Sequence, residues 1–416
     1  MNNVGNKNNI SRRDFIKTGF AGIAASSLAL SGCNKNEETS QVEELNIIPK
    51  QTDTYKFSAP MLFDFDAIDK MAGYNKQFKK SQITTLYNSI PWPQSEKFNE
   101  WFMLYRGGGN PDIKTYADFD RYVQYSFEKG FDVIYLMNSP KAFNDRDIEG
   151  FKKDFYKVLD NLWNSGIRRI KFANTQVAQL INEYNPNFKL SVATIMEYSS
   201  VSQYKNLLYF FPNINHICIP KDLNQNFHFL KAMKDNFPDI EIELMIGEGC
   251  PKWCPSRFSC MASSYNDHYK IGCNIPRNFP IIANLKNGVI HPWWLEYYSA
   301  IGINNFKFVP INQRASDKSI NHINDYLSFI QFSENNFDGI KYFDNLIATL
   351  SDRLHLNTSI VVNNIKNANL YSYIKSNIFD INYFIKNGYK CGIDCGTKCT
   401  YCDNCAKQLE EIMRMV

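Results

Sequence analysis

An α/β fold of the (β/α)8, TIM-type kind, carrying a cysteine-rich C-terminal tail, is what this 416-residue sequence predicts. Two patterns lead to it. Eight short apolar runs, rich in branched and aromatic residues, alternate with longer stretches of helical spacing. The β-then-α order of these stretches favours a closed parallel barrel over a doubly wound sheet. Aromatic residues make up 15% of the chain, enough for one large core, and no internal repeat stands out.

The strand-like runs, in order, are 57–65, 84–87, 132–137, 168–172, 189–194, 215–219, 241–246 and 305–309. The second is the weakest, and several are followed by Asn, Gly or Pro punctuation. Helical spacing fills 116–129, 147–164, 204–211, 223–236 and 293–301. The chain therefore divides into a leader at 1–32, a tether at 33–55, a barrel at 56–335 and an extension at 336–416 that ends in the cysteine-rich tail.

The leader opens with a basic stretch, Ser11-Arg12-Arg13-Asp14-Phe15-Ile16-Lys17, and continues in small apolar residues to Gly32. That is the layout of a secretory signal, too short for a stable membrane span. The paired arginines resemble the twin-arginine signal, which is read by the machinery that exports folded proteins. Leu30-Ser31-Gly32-Cys33 resembles a lipoprotein box, which makes Cys33 the expected lipidation site and the periplasmic face of a membrane the expected location. Residues 34–55 are polar, as a tether to lipid should be. Removing 1–32 takes a net +3 from a total of +4 and leaves +1. A body so nearly neutral lacks the footprint of a nucleic-acid binder.

Eleven cysteines are present. Cys218 sits within an apolar strand and reads as core, where a free thiol packs as a small hydrophobe. Four more, Cys250, Cys254, Cys260 and Cys273, begin directly after the seventh strand, where barrel loops converge on the active face. The last five, Cys391, Cys395, Cys399, Cys402 and Cys405, fall within "CGIDCGTKCTYCDNC". Disulfides suit an exported protein, but such tight spacings do not satisfy several bridges at once. Zinc accepts sets of four thiolates at these spacings and stays an alternative, for the tail above all. Iron-sulfur clusters, one or two of the 4Fe-4S type, take the same sets, and export in the folded state lets them be inserted beforehand. The Cys395-x3-Cys399-x2-Cys402 spacing is also similar to the triad of radical S-adenosylmethionine enzymes, which place it after the first barrel strand rather than here.

Polar residues at the predicted strand ends are Asn138, Glu197, Lys221, Asp222, Glu248 and Arg314. Glu248, beside Cys250, is the candidate proton relay and Arg314 its candidate partner in catalysis. Arg106 with Gly107-Gly108-Gly109 offers backbone amides to an anion or is a plain turn. A peptidase finds little footing in the motifs, since the chain has neither HExxH nor GxSxG. The histidines, His216, His228, His268, His291, His322 and His355, are scattered, and Cys260 with His268 is the only nearby thiol-imidazole pair.

Five segments in order, "RGGGNPDIKTYADFDRYVQYSFEKGFDVIYLMN", "HICIPKDLNQNFHFLKAMK", "LMIGEGCPKWCPSRFSCM", "PWWLEYYSAIGINNFKFV" and the cysteine tail, resemble relatives of the collagenase-like peptidase family thirty-two of the unassigned class. The most specific part is 249–257 plus Cys273. The resemblance implies a TIM-type barrel and, in the family's better understood branches, iron-sulfur proteins rather than proteases, which hydroxylate without oxygen. By position it implies that Cys250, Cys254 and Cys273 are cluster ligands. Cys260 stands where relatives often have His, relatives place an arginine nearer the eighth strand than Arg314, and those hydroxylases work in the cytoplasm.

The expectation is an exported, lipid-anchored, redox-active iron-sulfur barrel protein, hydroxylase-like, acting on a small or membrane-borne substrate with a redox partner. The alternatives are a peptidase, as the family label implies, or a non-catalytic electron-transfer or assembly partner. Aromatic plugging of the mouth by Trp293, Trp294 and Tyr297 would favour the partner.

Overall fold

Eight parallel strands close on themselves in the order β1 to β8. The computed structural model describes residues 44–52, 54–90, 113, 115–140, 145–246, 252–254, 257, 288–309, 329–330, 344, 347, 351, 356–391 and 398–415. The leader, with Cys33, lies outside the described residues, as do Arg106 with its glycines, Glu248, Cys250, Cys260, Cys273, Arg314 and Cys395. The barrel and the C-terminal extension belong to one unit, Leu45–Val416.

The strands are β1 Tyr55–Pro60, β2 Ser81–Asn88, β3 Asp132–Met137, β4 Arg169–Phe172, β5 Lys189–Val192, β6 Ile214–Cys218, β7 Glu241–Ile246 and β8 Asn305–Phe308. Closure is made by β8, which pairs with β1 at Phe306 and Phe57. The first strand ends earlier than the apolar run suggests. After Pro60 the chain turns out of the sheet, Phe63 takes a left-handed φ of 52°, and Asp64 caps the next helix by accepting from the amides of Asp66 and Ala67.

Helices cover the barrel: α1 Phe65–Gln77, α2 Tyr116–Glu128, α3 Asp145–Asn164, α4 Thr175–Tyr184, α5 Val201–Phe210, α6 Phe227–Asn236 and α7 Leu295–Ala300. Their starts are written in short polar side chains that satisfy otherwise orphaned amides. Thr115, Asn174 and Asn226 each accept from the first turn, and Ser200 forms a reciprocal capping box with Gln203. The predicted helix from 223 in fact starts at Phe227, because Lys221–Leu223 form a separate 3-10 turn. No helix among the described residues is long and apolar enough to cross a membrane.

The extension adds α8 Thr358–Asn367, α9 Ile381–Asn387 and α10 Tyr401–Met415. Its apolar face, including Ile365, Phe384, Ile385, Leu409 and Met413, joins the core cluster of the barrel. Trp294 donates its indole N–H to the Phe379 carbonyl at 3.1 Å and lies against Phe384. Trp293 and Trp294 are therefore spent on holding the extension. His291 is fully enclosed there, stacked on Trp293 with ring centres 4.5 Å apart.

Burial pushes His291 down to about 3. An unfolded imidazole titrates near 6.5, so the folded chain refuses a proton that the unfolded chain takes up. The stability contributed by the neutral ring is complete above about 6.5 and is lost as pH falls from there toward 3. We expect unfolding in urea at pH 5 to show about 2 kcal/mol less stability than at pH 7.5 from this ring alone. His291→Phe should flatten that dependence, and an equally steep decline in the variant would rule His291 out as its source.

The loop between β6 and α6, residues 221–226, is walled in by two glycines. A Cβ on Gly288, whose φ is +66°, would stand 2.4 Å from the Lys221 carbonyl oxygen. One on Gly388 would stand 1.9 Å from the Gln225 carbonyl oxygen. The loop is buried along Lys221, Asp222, Asn224 and Gln225 and also receives the Tyr298 hydroxyl at the Asn224 carbonyl.

Candidate functional site

Polar side chains line the barrel axis. Glu243 on β7 accepts from the Ser58 hydroxyl of β1 at 2.6 Å and from the Lys171 ammonium of β4 at 2.8 Å. These strands are not neighbours, so both bonds cross the interior. His216 on β6 approaches the same carboxylate at 3.6 Å through Nε2 and shares a 2.7 Å hydrogen bond with the Ser191 hydroxyl through Nδ1. All five residues are buried.

Desolvation opposes both charges of the central pair, and their mutual attraction overrides it. Burial alone would raise the Glu243 carboxyl, but the Lys171 charge, with His216 and Lys307 nearby, holds it well below the ordinary carboxylate range. Burial alone would strip Lys171, yet the Glu243 carboxylate keeps its pKa raised. Burial holds His216 below its ordinary value, and the imidazole is neutral. Cys218, at the end of β6, is buried and its thiol is pushed up to about 12, so it stays protonated as a core residue.

Toward the strand ends Lys307 of β8 places its ammonium 3.9 Å from the centre of the Tyr87 ring of β2. The Tyr87 hydroxyl in turn donates to the Phe308 carbonyl, which fixes the ring. A cation over an aromatic face, buried except for a few per cent of its surface, forms a charged floor beneath the mouth.

A second cluster sits on the C-terminal side of the strands. Arg257, in the loop after β7, makes a bidentate pair with Asp222 of the β6 loop at 2.7 and 2.9 Å. It reaches Glu197, just past β5, at 3.4 Å. The backbone N–H of Trp253 donates to the same Asp222 carboxylate at 3.0 Å, and Lys252 donates to Gln225 at 3.3 Å. Trp253 and Glu197 hold left-handed φ angles of 56° and 52°. Such backbone strain persists where the surroundings over-determine it. The loop that carries Cys254 is thus fastened to the strand-end face by a fork of two charge-assisted bonds.

Of the strand-end residues singled out in the sequence, Glu197 and Asp222 are brought together by Arg257. Lys221 lies buried in the same loop, and Asn138 is half-buried after β3. Among the cysteines, Cys254 is half-buried beside the Trp253 anchor. Cys391, Cys399 and Cys402 line a small cavity in the extension, whereas Cys405 is buried on α10. Among the described residues no three His, Cys, Asp or Glu side chains are already drawn to single-ion distance.

Residues 111–272 match the model of peptidase family U32. The match runs from α2 through the Arg257 anchor. No curated protein matches the sequence. Among solved structures, a U32 peptidase is similar at 12% identity, covering 66% of this chain and 97% of that one with a TM-score of 0.42. An endo-beta-1,4-mannanase from Thermotoga petrophila is similar at 10% identity over 70% of this chain and 78% of that one, with a TM-score of 0.35. A family 5 mannosidase from Rhizomucor miehei is similar at 11% identity over 70% and 95%, with a TM-score of 0.34.

Proposed function

We propose that this U32-like barrel is an iron-sulfur protein that carries out redox chemistry, hydroxylase-like, at the strand-end mouth of its barrel. The observation that carries the reading is the Arg257–Asp222 fork, which fastens the segment that carries Cys254 to the strand-end face. A redox centre needs its ligands held still, and a buried bidentate pair does this better than a solvated one.

Cys250, Cys254 and Cys273, with Cys260, are the thiols that would hold the cluster. Of these Cys254 lies among the described residues, half-buried beside the anchor, in keeping with a ligand that must be sheltered yet reachable. A bound cluster supplies one-electron transfer. The chain's own residues do the rest. Arg257, Asp222 and Glu197 position the segment that carries Cys254.

A peptidase is the second reading, favoured by the family description of the 111–272 match. The thiol-imidazole pair Cys260 and His268 that such a reading would use lies outside the described residues. One purification separates the two. Prepared without oxygen, the protein should contain iron with equimolar acid-labile sulfide, and Cys254→Ser should lose the share bound after β7 while remaining folded. A folded, iron-free protein that cleaves labelled peptides would replace the redox reading with the peptidase one.

A further inference from the structure

The C-terminal extension holds a second group of thiols that the mouth does not use. Cys391, Cys399 and Cys402 line one small cavity beneath α9, and Lys390 lines it with them. The Tyr383 hydroxyl from α9 lies 3.0 Å from the Cys399 sulfur. Tyr383 is itself locked, stacked on Tyr401 with ring centres 3.5 Å apart and planes within 5°. Cys402 occupies the first turn of α10, where the positive end of a fifteen-residue helix favours a thiolate.

Cys405 is set apart from these three. It is 4% exposed, packs into the core with Ala406 and Leu409, and does not line the cavity. A disulfide would join two of the remaining three and strand the third. It would also leave unused the Tyr383 hydroxyl, which can donate to sulfur and does so best when that sulfur is a thiolate. Three thiols, a lysine and a fixed hydroxyl around one cavity have the chemistry of a soft-metal site with an outer hydrogen bond. The three sulfurs line the cavity without already standing at single-ion distance from one another.

We propose that Cys391, Cys399 and Cys402 are three ligands of a thiophilic metal centre, distinct from the thiols after β7, with Tyr383 as the positioning residue that donates to the Cys399 thiolate. Cys405 is a core residue and not a ligand. Zinc and an iron-sulfur cluster share this ligand chemistry, and composition tells them apart: zinc without sulfide in one case, iron with sulfide in the other.

The test uses the full chain, purified without oxygen, with zinc, iron and acid-labile sulfide measured per chain. Ser at Cys391, Cys399 or Cys402 should each remove one site's worth of metal, and Cys405→Ser should leave the content unchanged. The same loss should appear in a Cys254→Ser background, so that failure of the mouth reading leaves this result intact. Tyr383→Phe, which keeps the ring stack, should release the tail metal to a chelator about 10-fold faster or more. Metal content equal to the parent's in the folded triple Ser variant would overturn the proposal. So would a disulfide between two of these cysteines in the anaerobic protein, or a Tyr383→Phe release rate equal to the parent's.

Discussion

Lys171→Met is expected to destabilise the protein by about 3–5 kcal/mol, the usual consequence of removing one partner from a buried ion pair. The ammonium and the Glu243 carboxylate are each at most 2% exposed and 2.8 Å apart. Without Lys171 the carboxylate loses the ammonium at 2.8 Å and keeps the Ser58 hydroxyl at 2.6 Å, with His216 at 3.6 Å and the Cys218 thiol beside it. The carboxyl must then take up a proton, which shifts the loss of stability toward higher pH. Urea unfolding of the parent, Lys171→Met, Glu243→Gln and the double variant measures the effect. The double variant should lose much less than the two single losses together, because neither charge is left alone. A loss below about 1 kcal/mol in Lys171→Met would mean that water reaches the pair.

Gly388→Ala is the second large effect. The backbone at Gly388 has φ −59° and ψ −26°, which any residue adopts, so conformational strain is not at issue. Space is. The new methyl would lie 1.9 Å from the Gln225 carbonyl oxygen and 2.9 Å from its carbon, and a main-chain atom cannot rotate away. Either the β6 loop or the extension must move. We expect a loss of about 3 kcal/mol, at the upper end of overpacking changes, together with faster proteolytic cutting in the extension. Thermal unfolding and limited proteolysis read the two consequences. Parent-like protection in the variant would show that the β6 loop and the extension accommodate the methyl without parting.

The sequence made the barrel legible because strands buried on both faces read as apolar runs. The third and seventh strands fall where the runs do, at Asp132–Met137 and Glu241–Ile246. The first does not, since Met61, Leu62 and Phe63 continue the run after the chain has left the sheet, and composition does not register that turn. The helices α1 and α4 were missed, although Asp64 and Asn174 stood at their starts as caps. At the site, Glu197 and Asp222 were legible as polar residues after strands. Arg257, which joins them, stands in the sequence only as the end of a cysteine motif. The axis cluster carries no distinct sequence signal. Lys171 in "RIKF", His216 in "INHIC" and Glu243 in "EIELMI" sit at alternate positions among apolar residues, a pattern that also fits a strand with one wet face. Only closure of the sheet turns that face inward.

The two glycines that wall in the β6–α6 loop also bear on when the molecule can be finished. Gly288 and Gly388 are both made after the loop they enclose, and Gly388 is made after every strand of the barrel. A chain emerging from the ribosome can pair its strands in order, N-terminal parts first. The seat of Asp222, and with it the anchor for Arg257, lacks one wall until the extension emerges and docks. A chain stalled or cut short before residue 388 would carry a closed barrel with an unfinished mouth, so any quality check that admits only completed molecules would be reading the extension rather than the barrel.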